Sequence, residues 1–422
     1  MHVKRLACLL LTTGFVCTVL ATPARVITMG RTDAFFMDDI SIFKNPANVN
    51  VYPNMLVGDL GSIERDTADS ADDSDFRNLI PRRPFFGGVL SYSLNQSTDA
   101  GDQFPMLSIG AVFNRYDPML DYVIPGSEKF ESTFGHLKSP QLLDPVGKID
   151  ILVGYAMENG GMVGVGGYTA FQDSGNGAQT TKLFQGNLGV NWPISKTMDI
   201  EVSAGASSIA AKGTVAQDSS QISPIASDEK SYTFVGKEDG SNVSGDLSFR
   251  GDVRLFSALT TLNGDFVPQL SINAVNLQDG DISIVDVKGG IGINLNIDRG
   301  FFWTAVQGLY NEKNQGNDIT QEIGGRIMFG IERNIIFDWL VWRLGGNKKV
   351  VYQLIDDSGK WIENAESNGG NDDMIGFGMG VNIENRFKVD AVMAEDLFYT
   401  WTNLFSGRAH HLFTRLSATY SF

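Results

Sequence analysis

Along most of the chain, apolar residues recur at every second position. Ile375, Phe377, Met379, Val381 and Ile383 enclose Gly376, Gly378, Gly380 and Asn382, and Ile149, Ile151, Val153, Tyr155 and Met157 enclose Asp150, Leu152, Gly154 and Ala156. The same alternation runs through Met198–Ser207, Asp246–Leu255 and Glu322–Glu332. A period of two sustained over about ten residues predicts strands with one greasy face and one small or polar face. Segmenting the chain this way predicts strands near 53–63, 85–95, 106–114, 148–157, 162–171, 181–192, 198–208, 245–255, 266–276, 282–295, 301–311, 321–332, 335–345, 373–384, 387–394 and 411–422. Beyond residue 21 no stretch approaches the roughly 20 apolar residues of a membrane-spanning helix. A strand, in contrast, crosses with only about 9 to 11 residues.

A soluble sandwich also alternates, so the polar face decides between water and lipid outside. Here it is rich in glycine and serine mixed with opposed charges, as at Arg250, Asp252 and Arg254 on one strand and Glu322 and Arg326 on another. Small residues and charge pairs suit a closed lumen, whereas Arg or Lys facing lipid costs about 2 to 4 kcal/mol at the midplane. Connections alternate as well. Long ones at 64–84, 115–147, 209–244, 346–372 and 395–410 contrast with tight turns such as Glu158–Gly161, Arg333-Asn334 and Asn385-Arg386. The pattern predicts an all-β fold, a transmembrane antiparallel barrel with short periplasmic turns and long external loops. Sixteen strands are counted; the 387–394 strand and the 266–295 hairpin are the weakest, so fourteen fits equally, a range of 14–16. Aromatics near strand ends, Phe85, Phe86, Trp192, Phe301 to Trp303, Trp339, Trp342, Tyr399 and Trp401, fit interfacial girdles and ordinary packing alike.

Composition changes the picture in three places. The 422 residues carry 49 acidic and 33 basic side chains, a formal charge of −16, which excludes a nucleic-acid partner. The glycine count, 47, finds a place on lumen faces and in turns. Residues 1–21 read as a signal peptide: Lys4 and Arg5, then an apolar run from Leu6 to Leu20, then the small-residue site Val19-Leu20-Ala21. Both cysteines, Cys8 and Cys17, fall inside that segment, so disulfides and cysteine-ligated zinc are not expected. The remaining histidines are His136, His410 and His411, and no nucleophile elbow, phosphate loop or zinc-protease motif occurs. We therefore expect neither an enzyme nor a metal or cofactor site. Asp66, Asp69, Asp72, Asp73 and Asp75 crowd one loop without the spacing of a defined cation cage; the choice lies between a solvated loop and divalent-cation binding at a lipopolysaccharide surface.

Residues 22–52 are the most informative for function. They read TPARVITMGRTDAFFMDDISIFKNPANVNVY, with no sustained alternation, yet Val26, Ile27, Phe35, Phe36, Ile40 and Phe43 are too apolar for a solvated tail. The segment should pack in an enclosed space, and a barrel offers its lumen. The domain plan is thus 1–21 signal, 22–52 plug and 53–422 barrel. The run Ala24-Arg25 through Met29-Gly30, then Asp38-Asp39, then Asn45-Pro46-Ala47, resembles the N-terminal signature of the FadL family of outer-membrane transporters for long-chain fatty acids and other hydrophobic compounds. The sequence departs from that signature at Arg31, where a second glycine is usual, and at Lys44, which replaces an aromatic or small residue.

The resemblance implies a fourteen-stranded barrel in the outer membrane, whose N-terminal segment folds inward as a hatch and moves to release a fatty-acid-like hydrophobic ligand. Asn45, Pro46 and Ala47 would be structural parts of the hatch, Asp38 and Asp39 would pair with lumen arginines or cap a turn, and Phe35, Phe36 and Phe43 would lie within a ligand's reach. Expected partners are outer-membrane lipid and lipopolysaccharide, the hydrophobic ligand, and the barrel assembly machinery, addressed by the closing strand that ends on Phe422. A carrier branch of the same shape, the PorV-like proteins, anchors and shuttles secreted proteins, and nothing in the sequence selects that branch.

Overall fold

The computed structural model describes residues 23–62, 84–94, 105–122, 145–173, 180–215, 230–235, 246–259, 262–277, 282–315, 318–355, 358–363, 374–384, 386–393 and 413–422. The signal segment, the acidic run around Asp72, all three histidines, Tyr399 and Trp401 lie outside the described residues. The strands are β1 (Met55–Ser62), β2 (Phe85–Ser93), β3 (Met106–Phe113), β4 (Gly147–Ala156), β5 (Met162–Asp173), β6 (Thr180–Ser195), β7 (Met198–Val215), β8 (Lys230–Val235), β9 (Asp246–Leu259), β10 (Gly264–Leu277), β11 (Ile282–Ile297), β12 (Gly300–Gln315), β13 (Asp318–Asn334), β14 (Leu340–Ile355), β15 (Ser358–Glu363), β16 (Met374–Ile383), β17 (Phe387–Met393) and β18 (Phe413–Ser421).

Every pairing is antiparallel, and the sheet closes on itself where Met55 of β1 pairs with Ser421 of β18. The β7–β9 and β14–β16 pairings are direct, so β8, which adds to β7, and β15, which adds to β14, extend the wall outside the ring. Sixteen strands therefore form the barrel. This corrects the count of fourteen that the family resemblance implies. All sixteen segments read from the alternation are ring strands, including the 387–394 strand and the 266–295 hairpin. The largest boundary difference is at the strand expected at 335–345, which runs from Leu340 to Ile355 because Ile335–Trp339 form the turn that precedes it; β7, β9 and β12 also run past their expected ends, to Val215, Leu259 and Gln315.

The alternation decides which way each side chain points. Ile149, Ile151, Val202, Val253, Ile323, Ile327 and Ile375 face outward and are exposed, as are Phe86, Leu188, Leu270, Ile291 and Val306 from the other strands. A continuous outward belt of large apolar side chains is a surface for lipid rather than water. None of the described helices is long and apolar enough to cross a membrane. The girdle expectation divides: Phe86, Trp192 and Trp339 are exposed, whereas Phe85 and Trp303 turn inward and are buried.

Candidate functional site

The lumen is filled at the rim that carries the short turns and both ends of the described chain. Residues 23–52 enter it as a short helix, α1 (Pro23–Thr28), and two single-turn 3-10 helices, Asp39–Phe43 and Pro46–Asn50. Each 3-10 turn is capped by the residue before it: Asp38 accepts from the Ile40 amide, and Asn45 from the Ala47 amide at 3.1 Å. Proline at the first helical position fixes φ where its missing N–H is not needed. Asn45 also donates to Asn191 of β6, and Asn191 donates to Asn48.

This turn approaches the wall so closely that only glycine fits opposite it. A Cβ on Gly164 would lie 2.3 Å from the Pro46 carbonyl carbon, one on Gly189 1.9 Å from the Asn45 side-chain oxygen, and one on Gly154 2.4 Å from Val49. On the far side, Met29, Phe35 and Phe36 pack against Phe256, Val267, Trp303, Ala305 and Met328. Arg31 stands at φ 58°, a left-handed backbone that glycine adopts at no cost, which gives a physical reason for the glycine usual at this place.

Charge ties the segment down. Arg25 bonds Asp38 at 3.3 Å and Glu332 of β13 at 2.8 Å, Glu332 also takes Arg343 of β14, and Arg343 reaches Asp390 of β17. All five side chains are buried. A second anchor is Arg254 of β9. It pairs with Glu201 of β7 and donates to the carbonyls of Asp33 at 2.8 Å and Phe36 at 3.3 Å. Burial works against ionisation of Asp33, yet the Lys44 ammonium and Arg254 outweigh it and hold its carboxyl below the usual range. Asp38 and Asp39 behave oppositely. Burial, opposed by Arg25 and reinforced by Asp33, pushes Asp38 up to about 6, and burial beside Asp38 pushes Asp39 well above the ordinary carboxylate range. Thr419 of β18 donates to Asp39 at 3.1 Å.

Toward the long-loop rim the inward face becomes apolar. Tyr168 and Ala170 of β5, Leu183 of β6, Ile209 of β7, Val275 of β10 and Ile282 and Ile284 of β11 form one cluster, joined by Leu120 and Tyr122. The last two come from residues 114–122, which leave β3 and turn into the lumen, ending in a 3-10 helix, Pro118–Tyr122. Arg115 fixes this inserted piece. Its guanidinium grips Asp150 of β4 at 2.9 and 2.7 Å and lies between the rings of Phe43, 4.5 Å away, and Tyr168, 4.8 Å away. Through Phe43 the floor of the apolar region rests on the N-terminal segment.

The chain aligns with two solved mutants of the TodX monoaromatic hydrocarbon channel, at 9% identity and TM-scores of 0.38 and 0.40, covering 94–95% of this chain and 97–98% of those. The CymD monoaromatic hydrocarbon channel aligns at 11% identity and a TM-score of 0.37, over 96% of this chain and 98% of that one. No protein-family model matches the sequence, and no curated protein does either.

The residues singled out from sequence fall into distinct places. Asp38 both caps a turn and forms an ion pair, though its partner is Arg25 of its own segment rather than a wall arginine. Phe35 and Phe36 are fully buried between segment and wall and present no surface to a solute in this arrangement, whereas Phe43 is partly open beneath Arg115. Arg254 faces the lumen, paired with Glu201 across the strands; the side chains of Arg250 and Asp252 lie outside the described residues. Glu322 accepts from Gln353 at 2.9 Å and Arg326 donates to Gln307 at 2.7 Å, both above the plug. Sequence reading did not single out Arg25, Glu332, Arg343, Asp390 or Arg115. The first four carry charge at buried positions, and inward parity on β13, β14 and β17 was signal enough for three of them.

Proposed function

We propose that the protein is an outer-membrane channel for hydrophobic small molecules, closed at its periplasmic end by residues 23–52 acting as a hatch. The observation that carries this reading is the apolar inward cluster at the long-loop rim. Isoleucine, valine and leucine lining a lumen disfavour ions and water but suit an apolar solute, for which burial is worth about 25 cal/mol per Å². In this arrangement Leu120 and Tyr122 cover the cluster and keep it closed; a solute that displaced them would rest on Tyr168 and, through Arg115 and Phe43, sit directly above the hatch. The hatch is held by capped turns and a chain of buried ion pairs, not by strand pairing, so it can leave without unzipping the wall. A fatty-acid-like ligand fits the apolar lining; Arg326 and Lys349, on the inward face of the middle lumen, would meet its carboxylate.

The test is uptake. Cells lacking the protein, complemented with wild type or with Ile209→Glu plus Ile284→Glu, are given labelled hydrophobic compounds at low external concentration. Uptake restored by wild type and lost in the charged variant is the expected result. Equal uptake by both strains, with secreted proteins captured on the wild-type barrel, would overturn the transport reading.

A further inference from the structure

Many inward glycines face hatch or neighbouring chain so closely that a side chain cannot be built, whereas outward glycines such as Gly167, Gly186 and Gly308 have room for one. Gly167 of β5 and Gly186 of β6 are register partners on the outward face, and Ala206 of β7 is the next residue across. A Cβ on Gly186 would meet nothing within 4 Å, and one on Gly167 only the Gln185 carbonyl oxygen at 4.0 Å. Glycine inside a strand weakens it, by roughly 0.5–1 kcal/mol relative to alanine. Large apolar side chains fill most of the outward belt. The missing side chains leave a groove of about 670 Å³, walled by Ile149, Ile151, Thr169, Phe184 and Ser208. That volume lies within the roughly 300–1,000 Å³ of small-molecule sites.

The position of the groove names its occupant. It interrupts the lipid-facing belt and lies in the half of the wall nearer the long loops, which is the outer leaflet. On the same face of β6, four residues toward that rim from Gly186 and so about 13 Å away, the exposed Lys182 sits over the Phe171 ring, 5.8 Å from its centroid. We infer that the groove holds an acyl chain of a phosphorylated outer-leaflet glycolipid of the lipid A type, with Lys182 against its phosphate. Asp173 stands at the next outward position of β5, so the patch is not purely basic and the acyl chain supplies most of the affinity. A second outward glycine row, Gly289, Gly308 and Gly325 on β11 to β13, serves as the internal contrast. There the residue four positions toward the same rim from Gly308 is Glu312, which repels a phosphate.

The experiment is native mass spectrometry of the purified full-length barrel after incubation with lipid A in non-ionic detergent and detergent exchange. Wild type and Gly308→Leu should retain one lipid A per barrel. Gly167→Leu combined with Gly186→Leu should lower retention on the order of ten-fold, and Lys182→Ala should lower it less. Folding is monitored by heat-modifiable mobility; Gly186→Leu alone, for which there is open space, is the fallback variant and should also lose lipid. Equal retention by all variants, no lipid on wild type, or a wild-type dimer that carries no lipid and dissociates in the glycine variants would each overturn the assignment.

Discussion

At the scale of single residues, the lumen is specified by where side chains are missing as much as by where they are present. Gly164 faces the Pro46 carbonyl so closely that Gly164→Val must expel the Asn45-Pro46-Ala47 turn while leaving the strand pairs of β5 untouched. Limited proteolysis should then cut within 22–52, with heat-modifiable mobility of the barrel unchanged; resistance equal to wild type would contradict the docking described. The buried carboxyls make docking depend on pH. With Asp38 raised to about 6 and Asp39 raised well above its ordinary range, the docked state binds more protons than the undocked one, whose carboxyls titrate near 4. Their contribution to docking is therefore complete below about pH 4 and is lost as pH rises through about 6 and beyond. Asp33, held low, titrates beneath that window and does not oppose it. Channel openings in planar bilayers should become more frequent between pH 5 and 7, and Asp39→Asn, which imitates the protonated acid, should flatten the rise. Part of the placement was legible in sequence: Asp38, Asp39 and Asn45-Pro46-Ala47 lie in the segment that enters the lumen, and parity turned Arg254, Glu322 and Arg326 inward. What was not legible is pairing. Opposed charges were read along one strand, Arg250, Asp252 and Arg254, without partners, whereas the register sets Arg254 opposite Glu201, and register depends on a partner strand about fifty residues away.

Among elements, strands were easier to read than the segments that enter the lumen. Alternation located every ring strand because the wall separates two different environments along its whole height. It missed β8 and β15, which lie outside the ring and are only six residues long, too short for a period of two to stand out. Residues 115–147 were assigned wholly to an external loop, yet their first part turns inward under Arg115. The sign was present in Tyr116, Met119 and Leu120 directly after the strand, but nothing local distinguishes an apolar loop that inserts from one that binds a partner. Arg115→Ala should free this piece and strand Asp150 as an unpaired buried carboxylate, a change that costs about 3–5 kcal/mol. A lowered midpoint of urea unfolding together with a raised rate of hydrophobic-solute uptake is the expected outcome. Lowered stability with uptake unchanged would mean that the inserted piece does not restrict the path.

For the molecule as a whole, two opposite faces average to an unremarkable composition, and the averages excluded only helical spans. The ring of sixteen strands exceeds the fourteen implied by the family resemblance, because a resemblance confined to residues 24–47 constrains the plug and not the circumference. The wider ring is accommodated by two inserts, the N-terminal segment at the short-turn rim and residues 114–122 above it, in contact through Phe43 and Arg115. The central claim is that the segment closes an otherwise continuous barrel. Conductance in planar bilayers of the full-length protein and of a variant lacking residues 22–52 tests it most directly. The account predicts a small, flickering conductance for the full chain and a large, steady one for the variant; the same conductance for both would contradict it.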